Sequence, residues 1–131
     1  MQKRKLNWSV DELMQSRDRR REWYRRHRES NRLKRVEAKL IVLSHYGPNG
    51  KLQCCWPDCD VTDPDILELD HIENNGEEDR KIRGEGASMY RSLIRENFPS
   101  GYQTLCCNHN RKKRMMRISE ERSYGQHSKR P

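Results

Sequence analysis

No stretch of this chain stays apolar for long. Nothing approaches the about 20 consecutive apolar residues that a membrane-crossing helix needs. The basic N-terminus is not followed by the apolar run of a secretory leader. Hydrophobic residues make up only 31% of the 131 residues and charged ones 37%, which excludes a large aliphatic core. The length suits one domain, and a domain this polar generally needs a disulfide, a metal or a partner as a staple. The five cysteines are odd in number. With no leader in sight, an intracellular setting is expected, in the cytoplasm or nucleus of a host cell and away from membranes. In a reducing compartment, clustered cysteines bind metal more often than they pair. Internal repeats are also missing, and neither proline nor glycine occurs from Ser9 to Tyr46.

Charge is plentiful and unevenly placed. Residues 1–46 hold 14 Lys/Arg against 6 Asp/Glu, residues 47–109 hold 6 against 12, and residues 110–131 hold 8 against 2. Two basic arms therefore flank an acidic middle. Basic arms draw the phosphate backbone in a salt-dependent way, whatever the base sequence, unless they are simply solvated surface. An acidic centre repels that backbone unless cations sit in it, a combination that suits a nuclease better than a plain binder.

Ser9 and Glu12 have the spacing of a capping box, so a helix is expected from there to Tyr46, stopped by Gly47-Pro48. Leu33, Val36, Leu40 and Leu43 recur at helical spacing and form the face expected to dock on the small domain. From Gln15 to Arg32 there are eight arginines, with Trp23 and Tyr24 the only large apolar groups. That portion reads as an exposed helix, or an arm that orders on DNA, with Ser30-Asn31 a weak point after it. Trp23-Tyr24 either stacks on bases or packs on a neighbouring domain. "ILELDHI" reads as a strand, residues 73–89 as a long polar loop with Glu77, Glu78 and Asp79 solvated, and "YRSLIREN" (90–97) as a short helix. "GYQTLC" reads as a second strand and "NHNRKKRMMRI" as a helix, in which Met115, Met116 and Ile118 are expected to pack. The tail from Ser119 is expected to fray.

Cysteine spacing is the strongest signal. Cys59 lies four intervening residues after Cys54 and three after Cys55, and Cys106 and His109 follow as C-x2-H. Two such pairs suit a closed tetrahedral Zn²⁺ site, and spacing alone admits either Cys54 or Cys55. Each pair falls at a turn next to a strand, so the metal ties both strands and the last helix together and supplements the thin core. Trp56, beside the knuckle, is expected in that core.

"CCWPDC", "LELDHIENNG" and "FPSGYQTLCCNHNRKK" together resemble the zinc-stapled HNH endonucleases, especially the small phage-type ones, over roughly residues 40–117. The resemblance implies an α+β chain with a small ββα-metal nuclease core, a structural zinc site and a long basic N-terminal helix or arm in front. It implies a metal-dependent phosphodiester hydrolase acting on double-stranded DNA. By position, Asp70 and Asn110 match the residues that hold the catalytic divalent ion, Mg²⁺ or Mn²⁺, and His71 matches the general base. Cys59, Cys106 and His109 match structural zinc positions, and Cys54 is preferred over Cys55 as the fourth. One residue departs from the family pattern. The middle Asn that steadies the base would fall near Gly101, which leaves backbone carbonyls of the 97–103 turn to orient His71.

The chemistry is consistent with those residue types. Imidazole takes a proton near neutral pH, and a carboxylate with an amide oxygen suits a hard cation. The expected organisation is a DNA-binding arm over 1–46, a nuclease domain over 47–118 and a basic flexible tail over 119–131, in a monomer or weak homodimer. DNA contacts are expected from Arg17, Arg19, Arg20, Arg21, Arg25, Arg26 and Arg28 on the arm, and from Arg111, Lys112 and Lys113 on the last helix. The competing reading is a non-catalytic, zinc-ribbon-like DNA-binding module in which Asp70-His71 is structural.

Overall fold

A computed structural model describes residues 7–127. Helix α1 (Val10–His45) begins at the expected capping box. Ser9 N–H donates to Glu12 Oε2 at 2.7 Å and Glu12 N–H to Ser9 Oγ at 3.2 Å, which satisfies two N-terminal donors reciprocally. The helix runs unbroken through Ser30-Asn31 and ends before Gly47. Its contacts divide the chain after Val36, so the last turns of α1 belong to the second of two compact units.

Among its described residues, the first unit is mainly helix with almost no apolar burial. Short-range ion pairs hold it instead: Glu22 pairs with Arg25 and Arg26, and Glu29 with Arg32. Such exposed pairs are screened by solvent and each contributes little. Leu33 and Val36, expected in the docking face, are exposed at 56% and 45%. Of that face, Leu43 is buried and Leu40 half-buried, and α1 also buries Ala38 and Val42 in the second unit. The helical period continues well past the stretch that has anything to pack against.

Beyond Gly47, a short 3-10 turn over Pro48–Gly50 leads into the cysteine knuckle. Gly47 is there for want of room. A Cβ on it would lie 1.8 Å from the Lys51 carbonyl oxygen and 3.1 Å from that of Leu43. Both obstacles are backbone and cannot rotate away. Gly47→Ala is therefore expected to destabilise the second unit by about 1–3 kcal/mol or more, read as a lower denaturation midpoint at unchanged m-value.

Strand β1 (Leu67–His71) pairs antiparallel with β2 (Tyr102–Cys106), in the register Leu67 opposite Cys106 and His71 opposite Tyr102. The stretch between them corrects the expectation of a long loop over 73–89. It contains α2 (Gly76–Arg83), and α3 (Ala87–Arg95) begins three residues earlier than expected. α2 escapes an apolar-periodicity reading because it has no apolar stripe, and Ile82 is 79% exposed. It is held by its polar side. Glu77, Glu78 and Asp79 occupy the first turn and Arg80, Lys81 and Arg83 the last, the order the helix dipole favours, and Asp79 is buried.

The second unit has two small apolar clusters. One comprises Leu43, Cys54, Leu67, Leu105 and Cys106, with Trp56 and Val61 packed against it. The other comprises Val42, Met89 and Leu93, with Tyr46, Phe98 and Tyr102 against it. Leu69 touches both. Thr104, fully buried, donates through Oγ1 to the Leu43 carbonyl at 2.7 Å and through its N–H to Tyr46 at 3.1 Å. Strand β2 thereby satisfies carbonyls left open at the end of α1.

Helix α4 (Cys107–His127) follows β2 directly. It continues where fraying was expected from Ser119, with residues 119–124 exposed. The last four residues of that tail, like the first six of the basic arm, lie outside the described residues. Met115 and Met116 are about half exposed, at 51% and 49%, rather than packed. The described chain is thus α+β, mainly helical with one two-stranded sheet. No helix among the described residues is long and apolar enough to cross a membrane.

Candidate metal centre and adjoining cleft

Cys54, Cys59, Cys106 and His109 converge, their ligand atoms all within 4.8 Å of one another. Three sulfurs and one imidazole nitrogen at such spacing fit a tetrahedral ion of the zinc type, with metal–ligand bonds of about 2.0–2.3 Å. The group can hold a metal such as zinc. The fold also separates Cys54 from Cys55. Cys54 Sγ lies 3.7 Å from His109 Nδ1, whereas Cys55 Sγ turns away and donates to the Tyr46 carbonyl at 3.2 Å. Backbone N–H groups of Cys106 and Trp56 donate to Cys54 Sγ at 3.2 and 3.4 Å, bonds that favour a thiolate. Burial nevertheless pushes the metal-free Cys54 thiol up to about 11. Burial also opposes ionisation of Cys106, but the N–H of His109 and the Cys54 and Cys59 thiols hold it below the ordinary thiol range. The Trp56 indole stacks on His109, centroids 4.9 Å apart and planes 5° from parallel. Lys112 Nζ sits 5.6 Å over the same indole. Cys107 is exposed and apart from the cluster.

The other end of the two-stranded ribbon opens on a cleft of about 450 Å³ whose lining includes Asp70, His71, Gly76, Glu77, Arg80, Asn110, Lys113, Arg114 and Arg117. His71 and Asn110 also line an adjoining hollow of about 390 Å³ with Glu68, Glu85 and Tyr90. Strand β1 and helix α4 thus bring Asp70, His71 and Asn110 to one cleft, although 39 positions separate His71 from Asn110. Along β1, Glu68 and Asp70 meet two positions of α4 one turn apart. Asn110 Nδ2 donates to Glu68 Oε2 at 2.7 Å. Asp70 Oδ2 accepts from Lys113 Nζ at 2.6 Å and from Gln103 Nε2 at 2.7 Å.

Lys113, expected on a phosphate, is instead held by three oxygens. Besides Asp70 it donates to the His71 carbonyl at 2.8 Å and the Ile72 carbonyl at 3.2 Å. Its ammonium shows that this corner of the cleft already holds one positive charge among oxygens. Arg111 and Lys112 are exposed on the first turns of α4.

Sequence reasoning missed Asp79. It was expected to be solvated, yet it is 6% exposed and meets His71 Nε2 at 2.8 Å. Tyr102 Oη donates to the same Oδ2 at 2.6 Å, and Arg83 donates to Oδ1 and also pairs with Glu96. His71 thus meets a carboxylate from α2, where carbonyls of the 97–103 turn were expected. The available signal was the Asp79–Arg83 pair, four apart, behind a glycine.

On the first unit, Arg17, Arg19, Arg20, Arg21, Arg25, Arg26 and Arg28 are all exposed. Arg21, Arg25, Arg28 and Arg35 share one side of α1 with Tyr24 and Asn31. Trp23 stacks on His27 one turn later, at 4.3 Å and 18°, and His27 Nδ1 lies 2.8 Å from the Trp23 carbonyl.

Comparison of the chain with protein-family models, with curated proteins and with solved structures finds no match in any of the three.

Proposed function

We propose that the chain is an HNH-type endonuclease with a ββα-metal core, hydrolysing phosphodiester bonds of double-stranded DNA at the cleft between β1 and α4. The observation that carries this reading is the meeting of Asp70, His71 and Asn110 in one cleft whose lining also includes four cations, Arg80, Lys113, Arg114 and Arg117, against one further carboxylate, Glu77. A carboxylate, a base and an amide suit attack on phosphorus, and the cations suit a phosphate. The exposed arginine face of α1 supports backbone affinity.

The donor set fits a hard divalent cation. Both hydrogen bonds to Asp70 fall on Oδ2, and Asn110 uses its nitrogen toward Glu68, so its amide oxygen is free to coordinate. In this reading Asp70 and Asn110 hold Mg²⁺ or Mn²⁺. When bound, such an ion stabilises charge on the phosphoryl oxygens and the leaving 3′ oxygen. His71 removes the proton from the attacking water. A cation held there would compete with Lys113 for Asp70, and an ammonium freed from that carboxylate would be available to a phosphate oxygen.

The test is relaxation of supercoiled plasmid by the zinc-loaded chain. Nicking is expected with added Mg²⁺ or Mn²⁺ and none with chelator. A chain that retards DNA but never cuts it, whichever divalent ion is added, is the zinc-ribbon-like binder instead.

A further inference from the structure

The two ring nitrogens of His71 have different surroundings. Nε2 faces Asp79. Burial works against the Asp79 charge, but hydrogen bonds from Tyr102, His71 and Arg83 hold its carboxyl below the ordinary carboxylate range. An ionised carboxylate accepts hydrogen bonds and cannot donate them, so the proton in this contact belongs to Nε2. That leaves the lone pair on Nδ1, which faces Gly76. A Cβ at Gly76 would come within 2.9 Å of Nδ1 and 3.3 Å of Cε1. Any other residue there would place carbon where a water bonded to Nδ1 must sit. Helix α2 therefore does two things three residues apart: Asp79 supplies an acceptor to one nitrogen, and Gly76 leaves the other uncovered.

We propose that Asp79 is the positioning residue of His71, fixing the Nε2–H tautomer and the ring plane so that Nδ1 is the nitrogen that takes a proton in the cleft. The last clause rests on the nuclease reading; the tautomer does not. In that reaction a water O–H bond breaks and its proton moves to Nδ1. The water oxygen bonds to phosphorus, the bond from phosphorus to the 3′ oxygen breaks, and that oxygen takes a proton from solvent. The imidazolium so formed has its Nε2–H directed at a carboxylate, which stabilises it. The role parallels the orienting carboxylate of hydrolytic triads, here delivered by a helix with no apolar stripe.

The decisive variant is Asp79→Asn, which keeps the shape. Arg83 can only donate, so the single amide oxygen turns to Arg83 and the NH2 turns to His71. Nε2 must then accept, and the proton moves to Nδ1. Ring ¹H–¹⁵N correlation spectra of the zinc-loaded full chain, taken where His71 is neutral, read this directly. The wild type is expected as Nε2–H and Asp79→Asn as Nδ1–H, with backbone spectra unchanged and nicking down by about 10²-fold or more. A wild-type His71 that is Nδ1–H, or an Asp79→Asn chain that keeps Nε2–H or nicks at the full rate, overturns the proposal. Should Asp79→Asn not fold, the wild-type spectrum decides by itself, since a proton on Nε2 bonded to Asp79 is required and its absence refutes the role. Should the wild type cut no DNA, the nuclease reading falls, and the tautomer still decides the role of Asp79.

Discussion

Stripping the metal is expected to unfold the second unit. Treatment with a strong chelator should abolish its cooperative melting transition and much of its helical signal, and Zn²⁺ should restore both. The expectation follows from magnitudes. Structural zinc sites bind with apparent free energies of about 10–16 kcal/mol, and whole domains are stable by only about 5–15 kcal/mol. Two apolar clusters of five and three buried residues are too small to make up such a loss. Cys59→Ser tests one ligand with little loss of packing, because Cys59 is only half-buried; it should behave like the chelated chain. Cys55→Ser is the control. Its hydroxyl can still donate to the Tyr46 carbonyl, and the change should stay within about 1 kcal/mol. Equal damage from the two changes would remove Cys59 from the metal site. Acid should act like chelator. In the loaded fold the thiols are deprotonated, whereas the unfolded chain rebinds those protons. Stability therefore rises with pH and falls as pH drops below the ordinary thiol pKa of about 8.5.

His71→Ala is expected to lower divalent-ion-dependent nicking by about 10²- to 10⁴-fold while the metal-loaded fold persists. The imidazole lies at the end of β1, its side chain 12% exposed. Its removal costs Asp79 one of three hydrogen-bond donors, an effect of about 1 kcal/mol. Tyr102 and Arg83 still satisfy the carboxylate. Activity and stability should therefore separate. Initial nicking rates measured beside a thermal melt check both, and a folded His71→Ala chain that nicks at the wild-type rate removes the base assignment.

What the sequence made legible, and what it did not, follows from the kind of interaction involved. The Cys/His quartet is readable because a metal demands particular atoms at short spacings. The two strands are readable because β-branched, leucine and aromatic residues cluster there between turn residues. The helix start at Ser9 is readable because its cap is local. Helix α2 is not, because side chains of distant elements hold it: Tyr102 from β2 and His71 from β1. Asp79 looks like its neighbours Glu77 and Glu78 until the fold buries it alone. The docking face of α1 was drawn too long for a related reason: Leu43 packs, whereas Leu33 and Val36 do not. Periodicity names a face but not the turns that have a partner, and Leu33 and Val36 lie outside them. Lys113 likewise looks like any cation on a basic helix until three oxygens gather round it.

The pairing of β1 with β2 makes the quartet more than a staple. An isolated two-stranded ribbon is marginal in water, and a slip of one residue turns every side chain to the opposite face. Here Leu67 stands opposite Cys106 at one end and His71 opposite Tyr102 at the other. An ion would hold Cys106 at the first rung; β1 supplies no ligand and meets that rung through Leu67, packed in the same apolar cluster as Cys54 and Cys106. His71 stands four residues farther along, about 14 Å at the usual strand rise. The ion, remote from the cleft, would therefore steady one edge of the ribbon, β2, against which the ladder aligns β1 and its imidazole.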